Sequence, residues 1–368
     1  MTTTKICAKI IKMEIKQINL KNFRNYKDAT VMFDNGINFL VGNNAQGKTN
    51  LLESIYFCAM GKSFKNIKEK LLINFESSNA NIGLKFSTLA GEKTIDIYLS
   101  QETKKTVKIN RLPISKLTQL IGTLNVVLFS PDELKLVKEV PEDRRKFLDI
   151  SISQFDKAYM FELIKYEQIL KQRNCVLKSF QSKENKIEQL KIWTPQLINS
   201  AEIIIKKRIN FIEKLNNIAK KIHFEIKEDE NLDIFYCIDK NIDIKNYLLN
   251  LFKINLEKEL QMQHTLFGPH RDDIIFKIND KDCKYFCSQG QQRTVSLSLK
   301  LALMEIVKEY NHEYPVLLLD DVLSELDESR QLKLLEITSK YQTFITTTSI
   351  SKNFKNYNAI FITNGSVS

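Results

Sequence analysis

Eight consecutive residues, Gly42-Asn43-Asn44-Ala45-Gln46-Gly47-Lys48-Thr49, fit the spacing G-x-x-x-x-G-K-[ST]. At average residue usage, such a match arises by chance in a chain of this length on the order of one time in a hundred. The flanks narrow it further. Ile37 to Val41 is a short apolar run suited to a buried strand, and Asn50-Leu51-Leu52-Glu53-Ser54-Ile55-Tyr56 opens an amphipathic helix. A loop between strand and helix turns its backbone N–H groups, and the positive end of the helix, toward an anion. The spacing therefore predicts an α/β domain in which residues 42–49 cradle the phosphates of a nucleotide. Lys48 reaches the β and γ phosphates, and the Thr49 hydroxyl ligates Mg²⁺.

A chain that binds a Mg²⁺-nucleotide this way needs a second strand ending in carboxylate. Pro315 leads into Val316-Leu317-Leu318-Leu319-Asp320-Asp321, an apolar run that ends in two adjacent acids, which is the pattern of the strand that holds Mg²⁺ in a P-loop protein. Further upstream, Ser288-Gln289-Gly290-Gln291-Gln292-Arg293-Thr294 stands before a helix rich in Leu and Ser. A hydroxyl, backbone N–H groups and a helix dipole make that turn a second anion site. One cradle holds one nucleotide, so two anion sites in one chain point to a homodimer in which each protomer completes its partner's site.

Between these motifs the pattern changes twice. From Ala80 to Ile109 apolar residues recur every second position (Ile82, Leu84, Phe86; Ile95, Ile97, Leu99; Val107, Ile109), with Gly91 at the first turn, and this predicts an antiparallel meander. Upstream, Met13, Ile15, Ile18 and Leu20 alternate loosely, and the first dozen residues read as an extension from an upstream start. Glycine is then absent from Thr123 to Phe267, and Pro195 is the one proline between Pro141 and Pro269. Ala201, Ile205, Ile209, Ile212, Leu215, Ala219 and Ile222 step by threes and fours, the stripe of a long helix. A helical insertion from about 140 to 255 is expected, its stripe serving internal packing. The last clear strand is Thr343 to Thr347. Residues 1–125, 126–260 and 261–368 are the predicted first part of the α/β domain, the helical insertion and the second part of the α/β domain.

The formal net charge of the 368 residues is +11, which suits a polyanionic partner such as DNA. The abundance of Lys, Ile and Asn is also what an AT-rich genome produces. Cys7, Cys58, Cys175, Cys237, Cys283 and Cys287 have no repeated spacing, so free thiols in a reducing cytosol are expected rather than a zinc ribbon or a disulfide framework. No apolar run reaches the ~18 residues that span a bilayer. The expected chain is cytoplasmic and has no membrane partner.

The cradle, the turn Ser288 to Gln291 and the segment Leu317-Leu318-Leu319-Asp320-Asp321-Val322-Leu323-Ser324-Glu325-Leu326-Asp327 resemble the Walker A, signature, Walker B and D-loop motifs of ABC-type ATPases. More specifically, Asn22-Phe23-Arg24-Asn25-Tyr26, Phe129-Ser130-Pro131-Asp132, Arg144-Arg145-Lys146-Phe147-Leu148-Asp149, Lys171-Gln172-Arg173-Asn174 and Gly268-Pro269-His270-Arg271-Asp272-Asp273 resemble motifs of the RecF family of bacterial recombination mediators. They run in order through nearly the whole chain. The resemblance implies an ABC-type P-loop ATPase head, with a mixed sheet and an antiparallel β lobe, that carries a short inserted α-helical arm. It implies ATP and Mg²⁺ as cofactors, an ATP-dependent homodimer, single-stranded and gapped duplex DNA as partner, and RecO- and RecR-type mediators.

By position, the resemblance makes Gly42 to Thr49, with Asn50 and Arg24, the nucleotide contacts, Thr49 and Asp320 the Mg²⁺ ligands, and Lys48, Asp320 and Asp321 the catalytic set. Ser288, Gly290 and Gln291 would face the γ-phosphate bound by the other protomer, and Asp327 would close the D-loop. Two departures stand out. Asp321 occupies the place of the usual catalytic Glu, and Thr346-Thr347-Thr348 stands where a switch histidine is usual, so slow hydrolysis is expected. The segment around Phe129-Ser130-Pro131 fills the Q-loop's part without an assignable ligand. An ABC transporter subunit shares the core motifs but not the Gly-free insertion, and a long-armed SMC protein needs more coiled coil than the insertion holds. His270, Asp272 and Asp273 also suggest a nuclease metal site, although a two-metal site needs further acids.

Overall fold

The computed structural model describes residues 12–131, 134–326, 328–351 and 354–368. The chain divides into two compact units, Met1–Asp132 with Leu303–Ser368, and Glu133–Ala302. The first unit thus resumes at Leu303.

The first unit is built on two sheets. In the antiparallel sheet the order is β2 (Tyr26–Met32), β1 (Glu14–Phe23), β4 (Asn79–Thr88), β5 (Gly91–Ser100), β6 (Thr106–Ile109) and β7 (Leu112–Pro113). The loose alternation at the start of β1 has a physical cause. The register slips between Ile15 and Gln17, so a bulge lets Ile15 and Ile18 both point into the core. The second sheet has the order β15 (Ser366–Val367), β14 (Tyr357–Thr363), β3 (Ile37–Val41), β13 (Thr343–Thr347), β12 (Val316–Leu319) and β8 (Val126–Phe129). From β14 to β8 its strands run parallel, and β3, β13, β12 and β8 are buried throughout, as strands covered on both faces must be. β14 and β15 lie beyond the last strand expected from the sequence.

Helix α1 (Lys48–Met60) follows the cradle and packs against strands of both sheets. Every residue from Leu51 to Met60 is buried, including Glu53. The amphipathic helix expected here is therefore enclosed on all sides, because a second sheet covers the face that a single sheet would leave to water.

The second unit holds α2 (Leu134–Lys138), α3 (Pro141–Ser153), α4 (Lys157–Lys178), α5 (Lys183–Ile226), a small sheet of β9 (Leu232–Tyr236), β10 (Ile274–Ile278) and β11 (Lys281–Asp282), α6 (Ile244–Ile254), α7 (Leu256–Met262) and α8 (Cys283–Phe286). Helices α4 and α5 form a hairpin across residues 179–182, and the Ser182 hydroxyl caps α5 by accepting from Asn185 N at 3.3 Å. The stripe from Ala201 to Ala219 is buried. Helix α5 continues through Pro195 to a length of 44 residues. Helix α9 (Gln289–Asn311) contains the division between the units, and α10 (Glu328–Thr338) belongs to the first.

Candidate nucleotide-binding site

The cradle runs from the end of β3 to the start of α1, and the neighbours behind it dictate its glycines. At Gly42 a Cβ would collide with the Ile362 carbonyl of β14. Gly47 has φ 119°, in the left-handed region, and a Cβ there would lie 2.6 Å from Asn25 Nδ2. Three groups hold the loop from outside. Asn25 Nδ2 donates to Gln46 O at 2.9 Å, the Tyr26 hydroxyl donates to Gly47 O at 2.9 Å, and Gly365 N donates to Gln46 O at 3.1 Å. The Gln46 side chain in turn accepts from Asn364 N at 2.6 Å.

Lys48 lies back over the loop and donates to Gly42 O at 2.5 Å and Asn43 O at 2.9 Å. Burial lowers the pKa of its ammonium, while Asp321 and Asp320 raise it. Neutral carbonyls are weaker partners for that ammonium than phosphate oxygens are. Thr49 Oγ1 donates to Asp320 Oδ1 at 2.8 Å, and the same oxygen accepts from Thr346 Oγ1 at 2.9 Å. The parallel pairing of β8, β12 and β13 lines these groups up, and Asp320 N donates to Phe129 O at 2.8 Å, beside the buried Ser130. Burial raises the Asp320 pKa, and the hydrogen bonds from Thr49 and Thr346 oppose it. A hydroxyl and a carboxylate at this spacing are hard oxygen ligands suited to Mg²⁺, which takes few protein ligands when a phosphate supplies others. Thus Thr49 and Asp320 fit the metal, and Lys48 with the loop fits a polyphosphate.

Asp321 has φ 52°, and its side chain is exposed. Its backbone N–H donates to Thr346 Oγ1 at 2.7 Å, so Thr346 bridges both acids. In the sequence this threonine is marked only by standing where a switch histidine is usual. A β-branched hydroxyl at the end of the strand next to β12 was the available signal.

Arg24, with φ 53°, presents Nε and Nη2 to the two oxygens of the buried Glu53, each at 3.0 Å, and donates from Nη1 to Leu71 O at 3.2 Å. Asn50 donates to Asn25 Oδ1 at 2.9 Å and accepts from Lys65 Nζ at 3.2 Å. Lys65 also lies 3.6 Å from Glu53. Arg24 and Asn50 are therefore tied to the cradle's framework through Glu53 and Asn25, and Glu53, a single buried acid, carries no local pattern in the sequence. Asp327 lies outside the described residues.

In the second unit Ser288 is exposed immediately before α9, and Gly290 and Gln291 open that helix. Ser288 N donates to Gln291 Oε1 at 2.9 Å and Gln291 N donates to Ser288 Oγ at 3.3 Å, a reciprocal cap. The other motifs of this unit are engaged in ion pairs and hydrogen bonds. Arg144 grips Asp273 with two bonds of 2.5 and 3.0 Å. Buried Arg208 pairs with Asp149 at 2.7 Å, the Tyr236 hydroxyl donates to Asp272, and Arg173 pairs with Glu259 at 2.5 Å. His270 Nδ1 faces the Tyr166 hydroxyl at 2.6 Å. Among the described residues no group of three or more His, Cys, Asp or Glu is placed to hold a metal ion.

Residues 14–365 match the profile of the RecF/RecN/SMC N terminal domain. Fold and site together define an ATPase head of the ABC class, in the form that SMC proteins share. The chain is 46% identical over 341 residues to the DNA replication and repair protein RecF of Clostridium kluyveri, covering 92% of this chain and 93% of that one. It is 43% identical over 352 residues to RecF of Clostridium tetani, covering 94% and 95%. A solved structure of the recombination mediator protein RecF with ATP in the RecFOR pathway matches at TM-score 0.91 and 36% identity, over 98% of this chain and 99% of that one. The Smc head domain of Pyrococcus furiosus, bound to the C-terminal domain of ScpA, matches at TM-score 0.59 and 17% identity over 96% and 95%, and shares the fold alone. The chain belongs to the RecF family. No helix of the described residues is long and apolar enough to cross a membrane.

Proposed function

We propose that this protein is an ATP-dependent DNA-binding protein of recombinational repair and replication restart. In this reading ATP bound at Gly42 to Thr49 is completed by Ser288, Gly290 and Gln291 of a second copy. The dimer then binds DNA at gaps, where RecO- and RecR-type partners load recombinase on single strands. The observation that carries the reading is the cluster of Lys48 and Thr49 at the start of α1 with Asp320 and Thr346 at the ends of adjacent parallel strands, in a chain of the RecF family.

Bound Mg²⁺ would neutralise charge on the β and γ phosphates. The chain's own residues supply the rest. Lys48 neutralises phosphate oxygens, Thr49 and Asp320 hold the metal, and Asp321 stands as the acceptor for a proton from attacking water. Asp321 is one methylene shorter than the usual Glu, and Thr346 to Thr348, at the end of β13, supply no histidine to orient that water. ATP turnover well below the ~1 to 10³ s⁻¹ of ordinary enzymes is expected, so hydrolysis resets a switch. The charge of +11 and the exposed Lys62, Lys68 and Lys70 support contact with DNA phosphates.

The test is to size the protein with ATP, ADP or no nucleotide, with and without gapped duplex DNA, and to measure ATP turnover alongside. Dimerisation with ATP, strengthened by DNA and accompanied by DNA-stimulated turnover, is expected. Dimerisation on ATP with no response to DNA would favour an ABC-type subunit that serves a different partner.

A further inference from the structure

The signature turn is braced from within its own unit by buried polar residues. Gln291 uses its side-chain oxygen on Ser288 N, and its amide nitrogen donates to Glu230 Oε1 at 3.1 Å. The other Glu230 oxygen lies 3.2 Å from His223 Nε2, and His223 Nδ1 lies 3.1 Å from Ser298 Oγ. Ser298 is on α9 and His223 is in the last turn of α5, so the chain of bonds leaves α9, crosses to α5 and returns to the start of α9. His223 and Ser298 are fully buried, and Glu230 is 8% exposed.

A carboxylate only accepts hydrogen bonds, which fixes the direction of the chain. Glu230 must receive a hydrogen from His223 Nε2, while Nδ1 faces the Ser298 hydroxyl, whose own hydrogen is donated to Thr294 O at 2.8 Å. Glu230 must also receive the Gln291 NH₂ group, so the Gln291 oxygen is the atom turned to Ser288 N. Without an acceptor at Glu230 the Gln291 amide could rotate, and its NH₂ would meet the N–H of Ser288. In the observed arrangement Ser288 Oγ accepts from Gln291 N, and its own hydrogen remains available to an anion in front of the turn.

We propose that Glu230 and His223 are positioning residues for the signature turn. They fix the Gln291 amide so that the Ser288 hydroxyl and the first N–H groups of α9 are presented to the nucleotide of a second copy. This rests on the composite-site reading above. It also makes the last turn of α5 part of ATP-dependent association.

The experiment uses the full chain and compares wild type with Glu230→Ala, Glu230→Met and Glu230→Gln. ATP affinity is measured at dilutions where the protein is monomeric, ATP-dependent dimerisation by light scattering, and folding by thermal unfolding. Met keeps the volume of Glu, so it tests the lost acceptor without a cavity. The Ala and Met variants should bind ATP as monomers like wild type. Each turn loses one hydrogen bond to a charged acceptor, about tenfold, and a dimer has two turns, so the dimer constant should weaken about a hundredfold. Glu230→Gln should dimerise within about threefold of wild type, because its amide oxygen still receives Gln291 while its NH₂ donates to the other tautomer of His223. A folded Met variant that dimerises like wild type, or a Gln variant as weak as the Met variant, overturns the positioning role. A wild-type protein that stays monomeric with ATP overturns the composite site itself, and this role with it.

Discussion

The Thr346 hydroxyl donates to Asp320 Oδ1 at 2.9 Å while accepting the backbone N–H of Asp321 at 2.7 Å. One side chain from β13 thus orients the carboxylate assigned to Mg²⁺ and fixes the backbone that carries the neighbouring acid. Thr346→Val keeps the shape and removes both bonds. We expect Mg²⁺-dependent ATP binding to weaken about tenfold, the loss of one hydrogen bond to a charged group, with binding in EDTA unchanged. Titration of nucleotide with and without Mg²⁺ measures the two quantities.

Replacing Lys48 tests the cradle directly. Its ammonium is the principal cation within reach of the loop, and charge-assisted bonds contribute about 1.5–3 kcal/mol each. Lys48→Ala should lower ATP affinity on the order of a hundredfold and leave the fold intact, since the bonds lost inside the protein run only to loop carbonyls. An affinity equal to wild type in equilibrium titration would place the nucleotide elsewhere.

Ser288→Arg probes the second half of the site. The substituted residue is exposed, so the variant should fold. A long cation would fill the space in front of the turn, so monomeric ATP binding should persist while ATP-dependent dimerisation is lost. Light scattering beside a nucleotide-binding assay reports both. An Arg variant that still dimerises on ATP would put the turn outside the interface.

Acid should destabilise the protein through His270. Its pKa falls from 6.5 to about 4, chiefly because it is buried, with Arg271, Arg145 and Arg173 adding to the effect and the contact with Thr265 O opposing it. The neutral ring is fully used, with Nε2 near Thr265 O at 3.2 Å and Nδ1 near the Tyr166 hydroxyl at 2.6 Å. Because the folded pKa is the lower one, the unfolded chain binds the proton first. The contribution is complete above pH 6.5 and is lost as pH falls toward 4, about 3 kcal/mol in all. In urea unfolding from pH 7 to pH 4, His270→Gln should lose less stability than wild type by roughly that amount. Parallel curves would mean that the ring titrates normally.

The parts of this fold that were legible are those written in short stretches. Gly42 to Thr49, the run from Val316 to Asp321, the alternation from Ile82 to Ile109 and the stripe from Ala201 to Ala219 each carry their own spacing, and each became the expected element. What escaped depends on residues far apart in the chain. Nothing near Leu51 says that a second sheet covers α1. Nothing near Tyr357 says that it continues the sheet beside β3, because the strand of residues 357–363 mixes polar and apolar residues without a clean period. The bond from Thr49 to Asp320 joins positions 271 apart, which local patterns do not encode. Glu53, Glu230 and His223 were missed for the same reason, since a buried acid or histidine is recognisable only by its partners.

The bracing of the cradle by residues 364 and 365 has a temporal side. Asn364 N reaches the Gln46 side chain across 318 positions of sequence. At ~5–20 residues per second, a ribosome needs roughly 16 to 64 s to travel from one to the other. Throughout that interval the nascent loop already has its Lys48 and Thr49, but neither the strand of residues 357–363 beside it nor the backbone donors of Asn364 and Gly365 that hold Gln46. The loop therefore lacks these braces until translation has passed residue 365.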